Sequence, residues 1–303
     1  MSVSSCLWLL CAFTATAAAT IIDFRAHKRL THNLYYLGEH VSPHRRNELP
    51  LERYAFLHYH DESETATALR DRPSPRNFDE HFGLRGQQRK RSAEPLIGDE
   101  LPSRSDECVS RMLGEGAHWW TSRGYYIMGA NMNRRIGETE LVRAVALAVR
   151  AWQCRLRSRA ARMAVGPLLG VDMSMPILRY NIYKPDGMNM IGFCEIEGVS
   201  SKAMAVTLLS GRFRTAEGTR ELVEFDMCLN DRNFRFGNAS LQADVVDLLA
   251  QLTHEFGHVY GLCDVNGIAC RNDTMYAFST TGLTRTRTPK EDDVRAINRL
   301  NLV

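Results

Sequence analysis

Residues 254–264 read His-Glu-Phe-Gly-His-Val-Tyr-Gly-Leu-Cys-Asp, and few other stretches of the chain place so many reactive side chains at fixed spacing. On a helix, His254 and His258 stand one turn apart on the same face, so two imidazoles can grip one metal ion. Glu255 follows the first imidazole directly, where its carboxylate can take a proton from a metal-activated water. Gly261 can end the helix in a left-handed conformation and turn the chain back toward the metal. That return lets Asp264 supply a third, oxygen ligand and leaves a fourth position open, as hydrolytic zinc sites require. The chemistry implied is hydrolysis by a metal-activated water with Glu255 as general base.

These residues need a helix and a frame. Ser240 is placed as an N-cap, and Leu241, Val245, Leu248, Leu249, Leu252, Phe256 and Tyr260 supply an apolar face. An ordinary amphipathic helix that happens to carry two histidines is the plain alternative. Near the C-terminus, Thr288 to Glu291 forms a capping box with Pro289 at the first helical position. Asp292 and Asp293 suit the dipole there, and Val294, Ile297 and Leu300 make the buried stripe. Upstream, Tyr125–Met128 is strand-like and Thr139–Cys154 is helical, with Leu141, Val145, Ala148, Val149 and Trp152 on one face. Pro176–Tyr183 and Ala203–Leu209 read as strands, and Leu222–Asp226 as a shorter one.

His254-Glu255-x-x-His258-x-x-Gly261-x-x-Asp264 resembles the metzincin zinc motif, with Asp where most members carry a third His. Met275, in Asn-Asp-Thr-Met-Tyr-Ala, is similar to the Met-turn beneath the metal, and Thr288 to Leu300 resembles the end of a matrixin catalytic domain. The resemblance covers residues 119 to 303. It implies an α+β, metzincin-like catalytic domain with a twisted, mostly parallel sheet and three main helices. It also implies one catalytic Zn2+ on His254, His258 and Asp264, as in snapalysin-type members, and cleavage of a protein or peptide substrate. By the same analogy an extended substrate would lie along an edge strand at Lys202–Thr207. His118 is the one other imidazole after residue 91, so it is the rival third ligand. That scarcity leaves no His-rich second zinc site. Carboxylates such as Asp172, Asp186 or Asp231 are of the type that binds Ca2+, although isolated acids are usually just solvated.

The N-terminus implies export. Cys6–Phe13 is a short apolar run followed by Ala17-x-Ala19, so residues 1–19 read as a signal peptide rather than a membrane span. Residues 20–91 hold seven of the ten histidines and no cysteine, and they end at Arg89-Lys90-Arg91. They read as a propeptide that a processing convertase cuts after Arg91, with a plain exposed basic patch as the alternative. Residues 92–303 are then the catalytic domain, secreted and extracellular. The propeptide lacks the cysteine by which matrixins stay latent; His58, His60 and Asp61 form a cluster able to reach the zinc. Six cysteines remain after the signal, Cys108, Cys154, Cys194, Cys228, Cys263 and Cys270, enough for three disulfides with fifteen pairings open. Asn238 and Asn272 head N-glycosylation sequons. A net charge of +3 is too small to imply nucleic acid, and the Arg150–Arg162 run reads as a solvated helix end. Two other readings stay open: a catalytically idle secreted binding protein on the same scaffold, and another zinc amide hydrolase.

Overall fold

The computed structural model describes residues 21–31, 33–40, 50–60, 108, 110, 112–113, 118–119, 122–128, 135–174, 184–213 and 221–300. The signal peptide, the Arg89–Arg91 site and the Pro176–Tyr183 strand expectation lie outside them. Thirteen strands run in chain order through these residues: β1 (Ile21–Asp23), β2 (Lys28–Arg29), β3 (Leu34–His40), β4 (Leu51–His60), β5 (His118–Trp119), β6 (Arg123–Met128), β7 (Val165–Asp172), β8 (Asn189–Glu197), β9 (Ala203–Arg212), β10 (Glu221–Asn230), β11 (Phe236–Gly237), β12 (Val246–Asp247) and β13 (Phe278–Ser279). Four helices interleave with them: α1 (Glu138–Gln153), the five-residue α2 (Arg159–Met163), α3 (Leu248–Val259) and α4 (Glu291–Leu300).

The class is α+β, and the main sheet is mixed. Its order is β2-β3-β4-β9-β10-β8-β6-β7, with β1 added to β8, β13 to β4 and β5 to β10. From β10 through β8 and β6 to β7 every pairing is parallel; from β2 to β10 every pairing is antiparallel. The expected mostly parallel sheet therefore describes only one half. The antiparallel half is widened by β2 to β4, from the segment read only as a propeptide, whereas β1 pairs parallel with β8. As a result β9 is no edge: β4 pairs it on one side and β10 on the other.

Helices α1, α3 and α4 share one face of the sheet. Leu141, Val145, Ala148 and Trp152 of α1 pack with Leu252, Phe256 and Val259 of α3 and with Val294 and Ile297 of α4, all in one buried cluster. A second cluster on the opposite face holds Ala55, Leu57 and Tyr59 of β4 with Val206 and Leu208 of β9. Strand alternation thus sends Tyr54, Phe56 and His58 toward α3, and Arg53, Ala55 and Leu57 away from it.

Two helix starts differ from expectation. Helix α3 begins at Leu248, not after Ser240; Asp247 is its N-cap and accepts from Ala250 N at 2.9 Å. Leu241 is 81% exposed, in a run of turns that leads into β12 and its pairing with β11. Asp247 outcompetes Ser240 because its second oxygen also accepts from Ala239 N, and Arg287 binds both oxygens. Helix α4 likewise starts at Glu291 rather than Pro289, with Asp293 receiving Lys290 N at 3.2 Å.

Among the described residues two disulfides form, Cys108–Cys270 and Cys194–Cys228; Cys154 and Cys263 are in neither. No helix among those residues is long and apolar enough to cross a membrane.

Candidate metal centre

Helix α3 delivers its reactive groups at its buried C-terminal end. His254, Glu255 and His258 are all within 1% of full burial. Two tryptophans fix the helix to its surroundings: Trp152 Nε1 donates to Thr253 O at 2.7 Å and Trp119 Nε1 to Val259 O at 2.7 Å. The helix then ends in a Schellman motif. Gly261 has φ +91°, its N–H reaches His258 O at 2.7 Å, and Leu262 N reaches Gly257 O at 3.0 Å. Only glycine takes this left-handed turn without strain, and the reversal brings Asp264 back beside both imidazoles.

The donor atoms converge. His254 Nε2 and His258 Nε2 lie 3.1 Å apart, and Asp264 Oδ1 is 3.1 Å from the first and 3.5 Å from the second. Each Nδ1 faces a carbonyl, Thr274 O at 2.7 Å and Leu262 O at 2.8 Å. A carbonyl only accepts, so each Nδ1 carries the proton and each Nε2 presents its lone pair inward. Asp264 Oδ1 is buried and accepts no hydrogen bond. Two lone pairs and an unsatisfied carboxylate oxygen facing one point repel each other unless a cation sits among them. The donor set, two neutral imidazole nitrogens and one carboxylate oxygen, suits zinc. Burial pushes His258 down to about 4, whereas His254 is raised because the Asp264 and Glu255 carboxylates outweigh burial.

Glu255 is braced on both oxygens. Thr207 Oγ1 of β9 donates to Oε2 at 2.6 Å, and Gln251 Nε2, one helical turn back, donates to Oε1 at 2.8 Å. Burial pushes its carboxyl up to about 7, which these donors and His254 only partly offset. A carboxylate poised there is suited to take up and return a proton near neutrality.

Met275 lies fully buried beneath α3, and a Cβ placed on Gly257 would stand 2.1 Å from its Sδ. The turn that carries it is pinned by Asp293 of α4, which accepts from Thr274 N at 2.9 Å and Met275 N at 3.2 Å. Because Thr274 O holds His254, the terminal helix reaches the centre through two hydrogen bonds. Gln251, Thr207, Gly257 and Asp293's part in this chain were not singled out from sequence. Gln251 alone left a signal, standing four residues before Glu255.

The other expectations are dispersed. His118 is exposed on β5, opposite Glu221, and joins none of the metal-competent groups among the described residues. Neither do Asp172, Asp186 or Asp231; Asp172 and Asp186 instead cap the turns at Ser174 and Met188. Asn238 and Asn272 are exposed, but Thr274 of the second sequon is buried, its hydroxyl engaged with Thr288 O and Lys290 N. Of the His58, His60 and Asp61 cluster, Asp61 lies outside the described residues, whereas His58 reaches the centre. Its ring stacks on His254 at 3.7 Å and 13°, and its Nδ1 is 2.7 Å from Gln251 Nε2.

No protein-family model matches the chain, and no curated protein matches it. Among solved structures it is similar to the crystal structure of metalloproteinase-II from Bacteroides fragilis, at 10% identity and a TM-score of 0.32, over 89% of this chain and 77% of that one. At that score the likeness carries no weight for fold or function.

Proposed function

We propose that the chain is a secreted zinc-dependent endopeptidase, made with a signal peptide (residues 1–19) and a propeptide (20–91), whose catalytic domain is residues 92–303. The observation that carries this reading is the convergence of His254 Nε2, His258 Nε2 and the unsatisfied Asp264 Oδ1 beside a braced, buried Glu255. A zinc ion held by those three atoms would acidify water and polarise a scissile carbonyl. Glu255 accepts the proton shed by the attacking water and returns it to the leaving amine. Thr207 and Gln251 keep its two oxygens aimed, since a carboxylate has lone pairs to spare beyond two hydrogen bonds.

The signal-like N-terminus and two disulfides support an extracellular setting. One observation favours a second reading, an idle binding scaffold: the centre is sealed from solvent. Incubating the protein cut after Arg91 and freed of its N-terminal fragment with a peptide library, with and without a zinc chelator, separates the two. We expect chelator-sensitive cleavage, and in Glu255→Ala a loss of about a hundredfold to ten-thousandfold with zinc retained. Cleavage at the wild-type rate in Glu255→Ala, or no cleavage by the cut wild type, would overturn the catalytic assignment.

A further inference from the structure

We propose that β4 and the turn before β3 form a built-in inhibitor, an extended strand of the chain's own N-terminal segment lying in the peptide groove and capping all three candidate ligands. This rests on the peptidase reading for the identity of the groove, but its contacts stand independently.

The groove has two walls. Strand β4 pairs antiparallel with β9 over eight residue pairs, from Glu52–Gly211 to Tyr59–Ala203. On its other side its end pairs parallel with β13, Phe278 beside Tyr59 and Ser279 beside His60. Main-chain bonds close both flanks: His60 N donates to Lys202 O at 2.8 Å, and Tyr59 N to Ala277 O at 3.1 Å. Such a slot holds any extended peptide through its backbone, and here the chain fills it with itself.

Each ligand has its own cover from this segment. Phe56 stacks on His258 with centroids 4.4 Å apart at 16°, and His58 stacks on His254. Asn33 Nδ2 donates to Asp264 Oδ2. The same His58 engages Gln251, which braces Glu255. A substrate cannot touch Glu255 or either imidazole while these residues remain, because all three are within 1% of complete burial. Opposite the centre, Arg53 locks the strand down. Its guanidinium binds Glu224 Oε1 at 2.8 Å, Ser210 Oγ at 2.9 Å and Asp226 Oδ2, all buried. A buried arginine among carboxylates gives register as well as hold, since a one-residue slip would leave its charge unpaired.

The segment is also built to leave. Residues 20–91 contain no cysteine, and both disulfides join residues beyond 91. A cut after Arg91 therefore leaves β1 to β4 attached by non-covalent contacts alone.

The test uses the zinc-loaded full chain with a site for a sequence-specific protease in place of residues 87–91. Before cleavage, a strong chelator should strip the metal at least about tenfold more slowly, and peptide turnover should be at least about a hundredfold lower, than after cleavage and removal of the fragment. A synthetic peptide of residues 50–60 should bind the cut Glu255→Ala protein, and its Phe56→Ala and His58→Ala forms at least about tenfold more weakly. Should the cut protein lose its fold, Arg53→Ala in the uncut chain still reads the strand, by faster metal loss to the chelator. Equal chelation rates before cleavage and after removal of the fragment, full turnover with the fragment still co-eluting, or no binding of the 50–60 peptide would each overturn the proposal. If instead the peptide binds and shields the metal but no library peptide is hydrolysed, the peptidase reading falls and the inhibitory strand stands.

Discussion

Gly257 sits between the two imidazoles in the sequence, and its missing side chain is the most exacting steric demand near the centre. An added Cβ would lie 2.1 Å from Met275 Sδ and 3.0 Å from both Met275 Cε and Trp152 Cζ2. Optimal heavy-atom contact is about 3.5–4.0 Å, so something must retreat by roughly 1.5 Å. Met275 has no free volume to enter, being fully buried, and its backbone N–H is held by Asp293 while its carbonyl takes Val265 N at 2.8 Å. Overpacking of this kind costs about 1–3 kcal/mol, and the upper end applies here. Replacing glycine by alanine inside a helix returns about 1 kcal/mol through propensity. Gly257→Ala should thus lose about 2 kcal/mol, a fall in Tm of about 4–8 °C for a domain of this size. Because Thr274 O next door orients His254, zinc affinity should drop about 10–100-fold as well. Urea unfolding of Gly257→Ala, Met275→Ala and the double variant is the assay. The truncated methionine makes room for the new methyl, so the double variant should be more stable than the sum of the single losses by about 0.5–3 kcal/mol. A stabilised Gly257→Ala, or strict additivity, would refute the packing argument.

Asp264→Ala should lose most of its zinc by mass spectrometry, whereas Asp264→His should keep metal and some turnover; normal loading in Asp264→Ala would mean that another group completes the site. Stability should also depend on pH through the Arg53 cluster. Burial pushes Asp226 up to about 8 and raises Glu224 beside it, because one guanidinium cannot offset two buried carboxylates with Asp186 also near. A carboxyl raised in the folded state stabilises fully below its unfolded pKa of 3.8 and loses that contribution as pH climbs through the folded value. Urea midpoints of the uncut chain should therefore fall between pH 4 and about 8, and fall less in Asp226→Asn. An identical decline in that variant refutes the assignment.

Much of the half that holds the candidate centre was readable because its information is local. The His254–Asp264 spacing, the left-handed Gly261 and the apolar faces of α1 and α4 each follow from residues within a few turns of one another. The start of α3 was misplaced because Ser240 and Asp247 are both fit to cap, and the choice falls to Arg287 and the β11–β12 pairing. Strand β4 escaped notice for a different reason. Leu-Glu-Arg-Tyr-Ala-Phe-Leu-His-Tyr-His is buried on both faces in mid-sheet, so it lacks the alternation that marks a half-exposed strand. Arg53 drew no expectation and His58 only that of a cluster able to reach the zinc, because their partners lie 157 to 193 positions away. No short-range pattern encodes a contact at that separation.

If β4 inhibits as proposed, the lack of any cysteine in residues 20–91 makes activation a matter of dilution as well as cutting. While the chain is whole, the strand faces its groove at an effective concentration of about millimolar or more, set by the connecting residues rather than by the amount of protein. A single cut changes that order of reaction: the fragment becomes a separate solute, and its occupancy falls as the protein spreads out. Cleaved molecules held at high concentration would stay mostly closed, and the same molecules would open on dispersal. Exchange of the fragment between molecules would further let one chain's strand quiet another's groove. The delay between cutting and opening would be set by the off-rate of one arginine clamp and two stacked rings.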